Sequence, residues 1–316
     1  MKLRLYDLKM KDKLNILVTG ANGQLGRSVR KESESSQDNY IFTDIQELDI
    51  TDSAAIEKFI SDNEIDVIVN CAAYTNVDAA EDHENIALKI NGDAPGILAR
   101  TLKERDGSLI HVSTDYVFGG SGKNIPLKED EPTSPTGAYG RTKLAGEIEI
   151  ASSGVSSVIL RTAWLYSDYG NNFVEKILSL LKSRDSIKVV FDQVGTPTYA
   201  KDLAKAIVAM ISERKIKGNE GIYHFSNEGV CSWYDFAHAA ARLVGMNDKK
   251  VLPCHSSEFP SKVVRPSYSV LDKTKYKETF QKEVPHWHDS LKTMIHKEGI
   301  HPASIKFHGS AGSQPS

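Results

Sequence analysis

Tyr139 and Lys143 lie four residues apart in the run Ala138-Tyr139-Gly140-Arg141-Thr142-Lys143-Leu144-Ala145-Gly146-Glu147. On a helix, that spacing puts both side chains on one face. An ammonium beside a phenol favours the phenolate and lowers a pKa that starts near about 10. The tyrosine then becomes a usable proton donor near neutral pH. Tyr-x-x-x-Lys also arises in many helices without function, so the pair needs a second feature beside it.

That feature is the run Gly20-Ala21-Asn22-Gly23-Gln24-Leu25-Gly26. It follows a β-rich run and precedes a helix-compatible run from Arg27. Glycines permit the tight turn and let backbone N–H groups approach a pyrophosphate at a helix N-terminus. The spacing departs from G-x-G-x-x-G, and a plain strand–turn–helix corner would also want small residues. Position and context favour a dinucleotide. Asp44 closes the second expected strand, where a carboxylate can bind ribose hydroxyls and favours NAD. Arg27 could instead meet the 2′-phosphate of NADP. Both NADP(H) and NAD(H) stay open.

The elements that must hold these groups alternate in type. Strands are expected at Leu14–Val18, Tyr40–Asp44, Asp66–Asn70, Ser108–Ser113 and Ser157–Arg161, with helices at Ala54–Ile60, at Ala87–Lys103 and around Tyr139–Lys143. This βαβα rhythm implies a parallel sheet covered on both faces. After Arg161 the rhythm loosens: helix Phe173–Lys182, strand Ile187–Phe191, helix Lys201–Ser212, strand Ile222–Phe225, helix Trp233–Leu243. In open α/β sheets ligands bind at the carboxyl ends of the strands. Thr19–Gly26, Asp44, Cys71–Asp78 and Ser113–Phe118 all fall there.

Composition narrows the class. The 316 residues suit one large α/β domain or two unequal ones, and the net charge of −3 gives no basic stripe for nucleic acid. No apolar run approaches the roughly 20 residues of a membrane span. The charged N-terminus lacks a signal-peptide core. Cys71, Cys231 and Cys254 are too few and too scattered for a disulfide framework or a metal site. A cytoplasmic protein without nucleic-acid or membrane partners is expected. No metal ligands are assigned; His286-Trp287-His288 with Asp289 reads as a helix start.

Gly20, Gly23 and Gly26, together with Ser113-Thr114, Tyr139 and Lys143, resemble the extended short-chain dehydrogenase/reductases. Within them the chain is similar to the dTDP-4-dehydrorhamnose reductase family, from about Leu14 to about Ile295. The segments Cys71–Asp78, Ser113–Phe118, Arg161–Tyr166, Gly170–Phe173, Asp192–Thr198 and Arg265–Asp272 carry that closer resemblance. It implies hydride transfer to the C4 ketone of a 6-deoxy-sugar nucleotide, giving dTDP-L-rhamnose from a dTDP-sugar substrate, in polysaccharide biosynthesis. By resemblance, Tyr139 protonates the developing alkoxide, Lys143 holds the nicotinamide ribose and depresses the tyrosine pKa, and Thr114 bonds the ketone oxygen. Gly20, Asn22, Gly23, Gln24, Leu25, Gly26, Asp44, Ala72, Ala73 and Tyr74 would join Tyr139 and Lys143 at the cofactor. Thr75, Val77, Tyr116, Trp164, Asn172 and Arg265 would face the substrate, Arg265 at the diphosphate. Asn91 reads as structural.

The implied architecture is an α/β, doubly wound Rossmann fold with a smaller C-terminal substrate-binding domain. Its expected divisions are an extension over 1–13, a cofactor domain over 14–162 plus 195–226, a substrate domain over 163–194 plus 227–300, and a disordered tail over 301–316. The sequence does not settle the oligomeric state, and a homodimer stays open; some family members dimerise through magnesium. Three functions compete. Dehydratases of the extended family carry Asp-Glu after the threonine, whereas here Tyr116 follows Asp115. A sugar-nucleotide epimerase and a non-catalytic NADP-binding regulatory subunit both stay open, since fold does not decide function.

Overall fold

A computed structural model describes residues 11–259 and 261–297. Most of the expected N-terminal extension and the whole of the expected tail lie outside those residues. The first half of the chain runs β1 (Asn15–Thr19), α1 (Gln24–Glu32), β2 (Asn39–Thr43), α2 (Ser53–Asp62), β3 (Val67–Asn70), α3 (Val77–Asp82), α4 (Glu84–Leu88), α5 (Ala94–Lys103), β4 (Ser108–Thr114), α6 (Ala138–Ser153) and β5 (Ser156–Thr162). The second half runs β6 (Leu165–Tyr166), α7 (Phe173–Ser183), β7 (Ser186–Val190), β8 (Val194–Gly195), β9 (Thr198–Tyr199), α8 (Ala200–Ser212), β10 (Gly221–His224), β11 (Cys231–Ser232), α9 (Trp233–Leu243), β12 (Lys250–Cys254), α10 (Thr274–Phe280) and α11 (Trp287–Lys297).

The main sheet has the order β10-β5-β4-β3-β1-β2, and every pairing in it is parallel. Successive residues of a strand face opposite sides. In β1, Ile16 and Val18 pack with α1 and α8, while Leu17 packs with α2 and α5. The chain is therefore a doubly wound Rossmann α/β fold. Strand order reverses at β1, so the crevice where ligands bind such sheets opens where β1 runs into Gly20.

A second core joins α7, α9 and α11 to β7 and β12 around Phe236, Leu181 and Leu291. The expected strand at Ile187–Phe191 is β7, and it pairs with β12 instead of joining the main sheet. Tyr276 and Phe280 of α10 pack with Tyr223 of β10, in the core that also contains α8, although sequence placed this stretch with the substrate unit. The expected single helix over Ala87–Lys103 starts earlier, at Glu84, and its middle, Lys89–Asp93, is a π-helical turn. Wide turns of this kind are frequent at functional sites. Among the described residues, no helix is long and apolar enough to cross a membrane.

Candidate active site

The glycine loop closes the carboxyl end of β1. Gly20 has φ +63°, and a Cβ there would stand 2.6 Å from the backbone nitrogen of Ala72. No side chain fits between these two strand ends. Helix α1 begins at Gln24, three residues before the expected start, and Gly26 lies inside its first turn. Its N-cap, Gly23, carries no capping side chain, so first-turn N–H groups open on the crevice. Asp44 Oδ2 accepts from the Asn22 N–H at 2.9 Å and Oδ1 from that of Ile45. The carboxylate thus ties the end of β2 to the loop. Arg27 is exposed, and its guanidinium stands 5.7 Å from the Tyr169 ring centroid.

Across the crevice, Asn91 holds the segment from Ala72 to Tyr74. The Asn91 side chain accepts from the Tyr74 N–H at 2.8 Å and donates to the Tyr74 carbonyl and to Thr142. It does so from the π-helical turn, at 1% exposure.

Thr114 ends β4, and its hydroxyl donates to Asp115 Oδ1 and accepts from the Tyr116 N–H. The Tyr139 side chain lies beside it on the wall of the same cavity. The first turn of α6 delivers Tyr139 to that point because Gly140 lies against the Tyr116 carbonyl, where a Cβ would come within 2.6 Å. Burial pushes the Tyr139 phenol upward, and Asp115 and Tyr116 add to the effect. The anticipated lowering by Lys143 is corrected here. Lys143 Nζ is held against β4, donating to the Val112 carbonyl at 2.6 Å and lying 3.2 Å from His111 Nε2. Burial brings Lys143 down to about 8.

These groups stand on a buried polar frame that sequence reasoning missed. Asn70 Oδ1 accepts from Thr19 and from the Ala72 N–H, and Asn70 Nδ2 faces His111 Nδ1 at 3.1 Å. One turn beyond Lys143, Glu147 takes a bidentate bond from Arg161 of β5 and a bond from Ser113. Both ion-pair side chains are 3% exposed. Polar residues in the otherwise apolar β3, β4 and β5 were the available signal, since buried polar groups demand partners.

The substrate-side candidates gather on the opposite wall. Trp164, at φ +49°, stacks on Trp233 at 3.7 Å between ring centroids and rests against Gly195. Only Gly195 leaves room for that indole, because a Cβ there would sit 2.8 Å from the ring. Arg265 stands near Tyr116 and pairs loosely with Asp78 at 3.4 Å. Thr75 and Val77 line the same rim. Asn172 also lines the cavity, but its amide is committed within the chain. Its Oδ1 caps α7 through Val174 and Glu175, and its Nδ2 donates to Ser167. Trp233, which nothing in the sequence singled out, completes the wall.

One cavity of about 2300 Å³ runs from the glycine loop past Tyr139 to Trp164 and Arg265. Sites for one drug-sized molecule hold about 300–1,000 Å³, so this cavity has room for two nucleotide-sized ligands side by side. Among the described residues, no group of three His, Cys, Asp or Glu could hold a metal ion.

The family model described as "RmlD substrate binding domain" matches residues 14–300. A dTDP-4-dehydrorhamnose reductase of Mycolicibacterium smegmatis is 37% identical over 282 residues, 89% of this chain and 84% of that protein. Among solved structures, one dTDP-4-dehydrorhamnose reductase is from Clostridium acetobutylicum. It is 43% identical, with a TM-score of 0.85 over 90% of this chain and 99% of its own. Another, from Bacillus anthracis in complex with NADP, is 34% identical, with a TM-score of 0.86 at the same coverage.

Proposed function

The chain belongs to the RmlD substrate-binding-domain family, and on that premise we propose that it is an NAD(P)H-dependent reductase of dTDP-4-dehydro-L-rhamnose. The product is dTDP-L-rhamnose, a precursor of cell-surface polysaccharide. The observation that carries this reading is that Thr114 and Tyr139 lie side by side on the wall of one long cavity. The glycine loop lies at one end and the Trp164–Trp233 stack with Arg265 at the other.

The residues present fit a dinucleotide. The Gly20–Ala72 approach leaves a cradle without side chains, and the uncapped first turn of α1 offers N–H groups to a pyrophosphate. Gly20, Asn22, Gly23, Gln24, Leu25 and Gly26 would hold the phosphates, Asp44 a ribose, and Ala72, Ala73, Tyr74 and Lys143 the nicotinamide half. When bound, the cofactor supplies the hydride. The protein orients the ketone and manages the proton. A carbonyl oxygen seated between Thr114 and Tyr139 can accept from the Tyr139 hydroxyl, and from Thr114 once that hydroxyl turns its one hydrogen away from Asp115. Oxygen gains negative charge as hydride arrives, and the Tyr139 hydroxyl donates its proton to it. A phenol raised by burial is a weak acid at rest, and the developing alkoxide is the strong base that draws its proton. Arg265 suits a diphosphate, and the Trp164–Trp233 wall suits the apolar face of a deoxy sugar or the base.

This reading places the cavity between a cofactor unit, 14–162 plus 195–226, and a substrate unit, 163–194 plus 227–300, with residues 274–280 packed on the cofactor side. It also takes the protein to be cytoplasmic, which fits its three unpaired cysteines, and to form a homodimer.

Absorbance of NADPH or NADH, followed with dTDP-4-dehydro-L-rhamnose, tests the assignment. Substrate-dependent oxidation is expected, and the rate ratio of the two nucleotides weighs Asp44 against Arg27. Cofactor binding without oxidation would instead favour the epimerase or the regulatory subunit.

A further inference from the structure

Lys143 Nζ has two close polar neighbours, the Val112 carbonyl oxygen and His111 Nε2. What His111 presents depends on which ring nitrogen carries its proton. That choice is made at the neighbouring strand. The Ala72 N–H donates to Asn70 Oδ1, and a backbone N–H can only donate. The Thr19 hydroxyl donates to the same oxygen. Asn70 is thereby oriented with Nδ2 toward His111 Nδ1. An amide NH₂ offers no lone pair, so Nδ1 must be the acceptor. Burial keeps the imidazole neutral, and a neutral ring carries one proton. That proton therefore sits on Nε2, facing Lys143. An ammonium has no lone pair to receive it, whereas an amine has one.

We propose that His111, locked by Asn70 and Ala72 as the Nε2–H tautomer, donates to Lys143 Nζ and favours its amine over its ammonium form. His111 is a positioning residue, and it makes Lys143 a proton carrier instead of a permanent cation. The amine's bonding is then complete: one N–H to Val112, the lone pair to His111, and one N–H toward the cleft.

The other titratable groups around Lys143 do not reverse this. Glu147, one turn along α6, favours the ammonium, but Arg161 and Ser113 hold its carboxylate. Cys71, at the end of β3, is pushed up to about 12 by burial and stays a neutral thiol. Tyr139, one turn back, is likewise neutral. Burial of Lys143 acts in the same direction as His111.

For the catalytic cycle, which rests on the reductase reading, the consequence is a route for the proton. Tyr139 gives its proton to the substrate oxygen and is left as phenolate. A proton passed across the cleft from the Lys143 ammonium restores the phenol and leaves an amine, which His111 stabilises. Solvent then returns a proton to the amine.

The first test needs no cofactor or substrate. In ¹⁵N-histidine spectra of the ligand-free protein, His111 is expected to show the Nε2–H pattern. An Nδ1–H pattern, or an imidazolium at neutral pH, overturns the proposal. With ¹³C-labelled lysine, His111→Gln is expected to move the Lys143 midpoint up by about one pH unit, because a glutamine oxygen can accept from an ammonium. An unmoved midpoint in that folded variant also overturns it. Asn70→Asp, which accepts from Nδ1–H, is expected to switch the tautomer and raise the same midpoint; an unswitched ring counts against the lock. In turnover, the alkaline limb of kcat/KM is expected to follow the midpoint, whereas a merely structural role would lower rates without moving it. The tautomer and midpoint results hold even if the sugar nucleotide proves not to be the substrate, so the two readings fail separately.

Discussion

The two walls of the cleft are held by different forces. On the sheet side, Lys143, Thr114 and Asp115 are 1%, 4% and 3% exposed, and their neighbours are polar, buried and hydrogen-bonded. On the opposite side, Trp164 and Trp233 stack while still partly open, and the Arg265 side chain is 37% exposed. Burying polar groups is costly unless each finds a partner, so the sheet-side geometry has few alternatives. An exposed guanidinium and a ring stack can adjust to what they bind at smaller cost. On the proposed reading, the side that would transfer the proton is thus rigid, and the side that would recognise the ligand retains some freedom.

The sharpest way to break that contrast is at its rigid end. Tyr139→Phe removes the proton donor while leaving the ring and its packing. We expect kcat to fall by about 10²–10⁴-fold with NADPH affinity nearly unchanged. Stopped-flow single turnovers and cofactor fluorescence titration read the two quantities. Retained turnover would remove Tyr139 from the chemistry.

The same contrast exists within α6. Glu147 and Glu149 are two residues apart, and each pairs with an arginine, Arg161 and Arg100 respectively. The first pair is buried and the second is about half exposed. Glu147→Ala leaves Arg161 charged and unpartnered in the core, at a cost of about 3–5 kcal/mol. Glu149→Ala is expected to cost under about 1 kcal/mol. Urea denaturation midpoints compare them directly. Equal costs would mean the sheet-side frame is less rigid than argued.

Asp115 sharpens the comparison through pH. Burial raises its carboxyl to about 6, and its Oδ2 has no hydrogen-bond partner. A carboxyl raised in the folded state holds its proton there while the unfolded chain has already lost it. Stability from this group is present below about pH 4 and lost as pH rises through about 6. Above that, the buried charge costs on the order of 2–3 kcal/mol. Asp115→Asn is therefore expected to raise the melting temperature at pH 8 and to leave it nearly unchanged at pH 4. A pH-independent difference between the two proteins would rule this account out.

Sequence reached the two sides unequally. The parallel sheet was legible because β1, β3, β4 and β5 are short apolar runs separated by helix-length segments. The glycine loop was legible because only glycine tolerates φ +63° beside Ala72. Tyr139, Lys143 and Thr114 were reached through spacing and family resemblance. What spacing could not give was the direction of Lys143. Its lean toward His111 depends on a residue 32 positions earlier in the chain, brought near by strand register. Arg161 was quoted as motif and strand residue, yet its partner Glu147 sits on the helix that precedes β5. Asn172 was read as ligand-facing because it lies in a matched loop; it does line the cavity, and its amide also caps the first N–H groups of α7, a local demand that sequence reading underweighted.

The smallest expected effect lies on the adjustable wall. Arg265 contacts Asp78 at 3.4 Å, too far for a strong ion pair. Its planar fork can meet a diphosphate with two parallel bonds, which a lysine cannot reproduce. Arg265→Lys keeps the charge and loses the fork, so KM for the sugar nucleotide should rise by about tenfold, equivalent to about 1.4 kcal/mol, while kcat stays within about twofold because the proton-transfer wall is untouched. Steady-state kinetics at saturating cofactor separates the two constants. A parallel fall in kcat would tie Arg265 to the transition state and erase the division between the walls, and an unchanged KM would take the diphosphate away from this position.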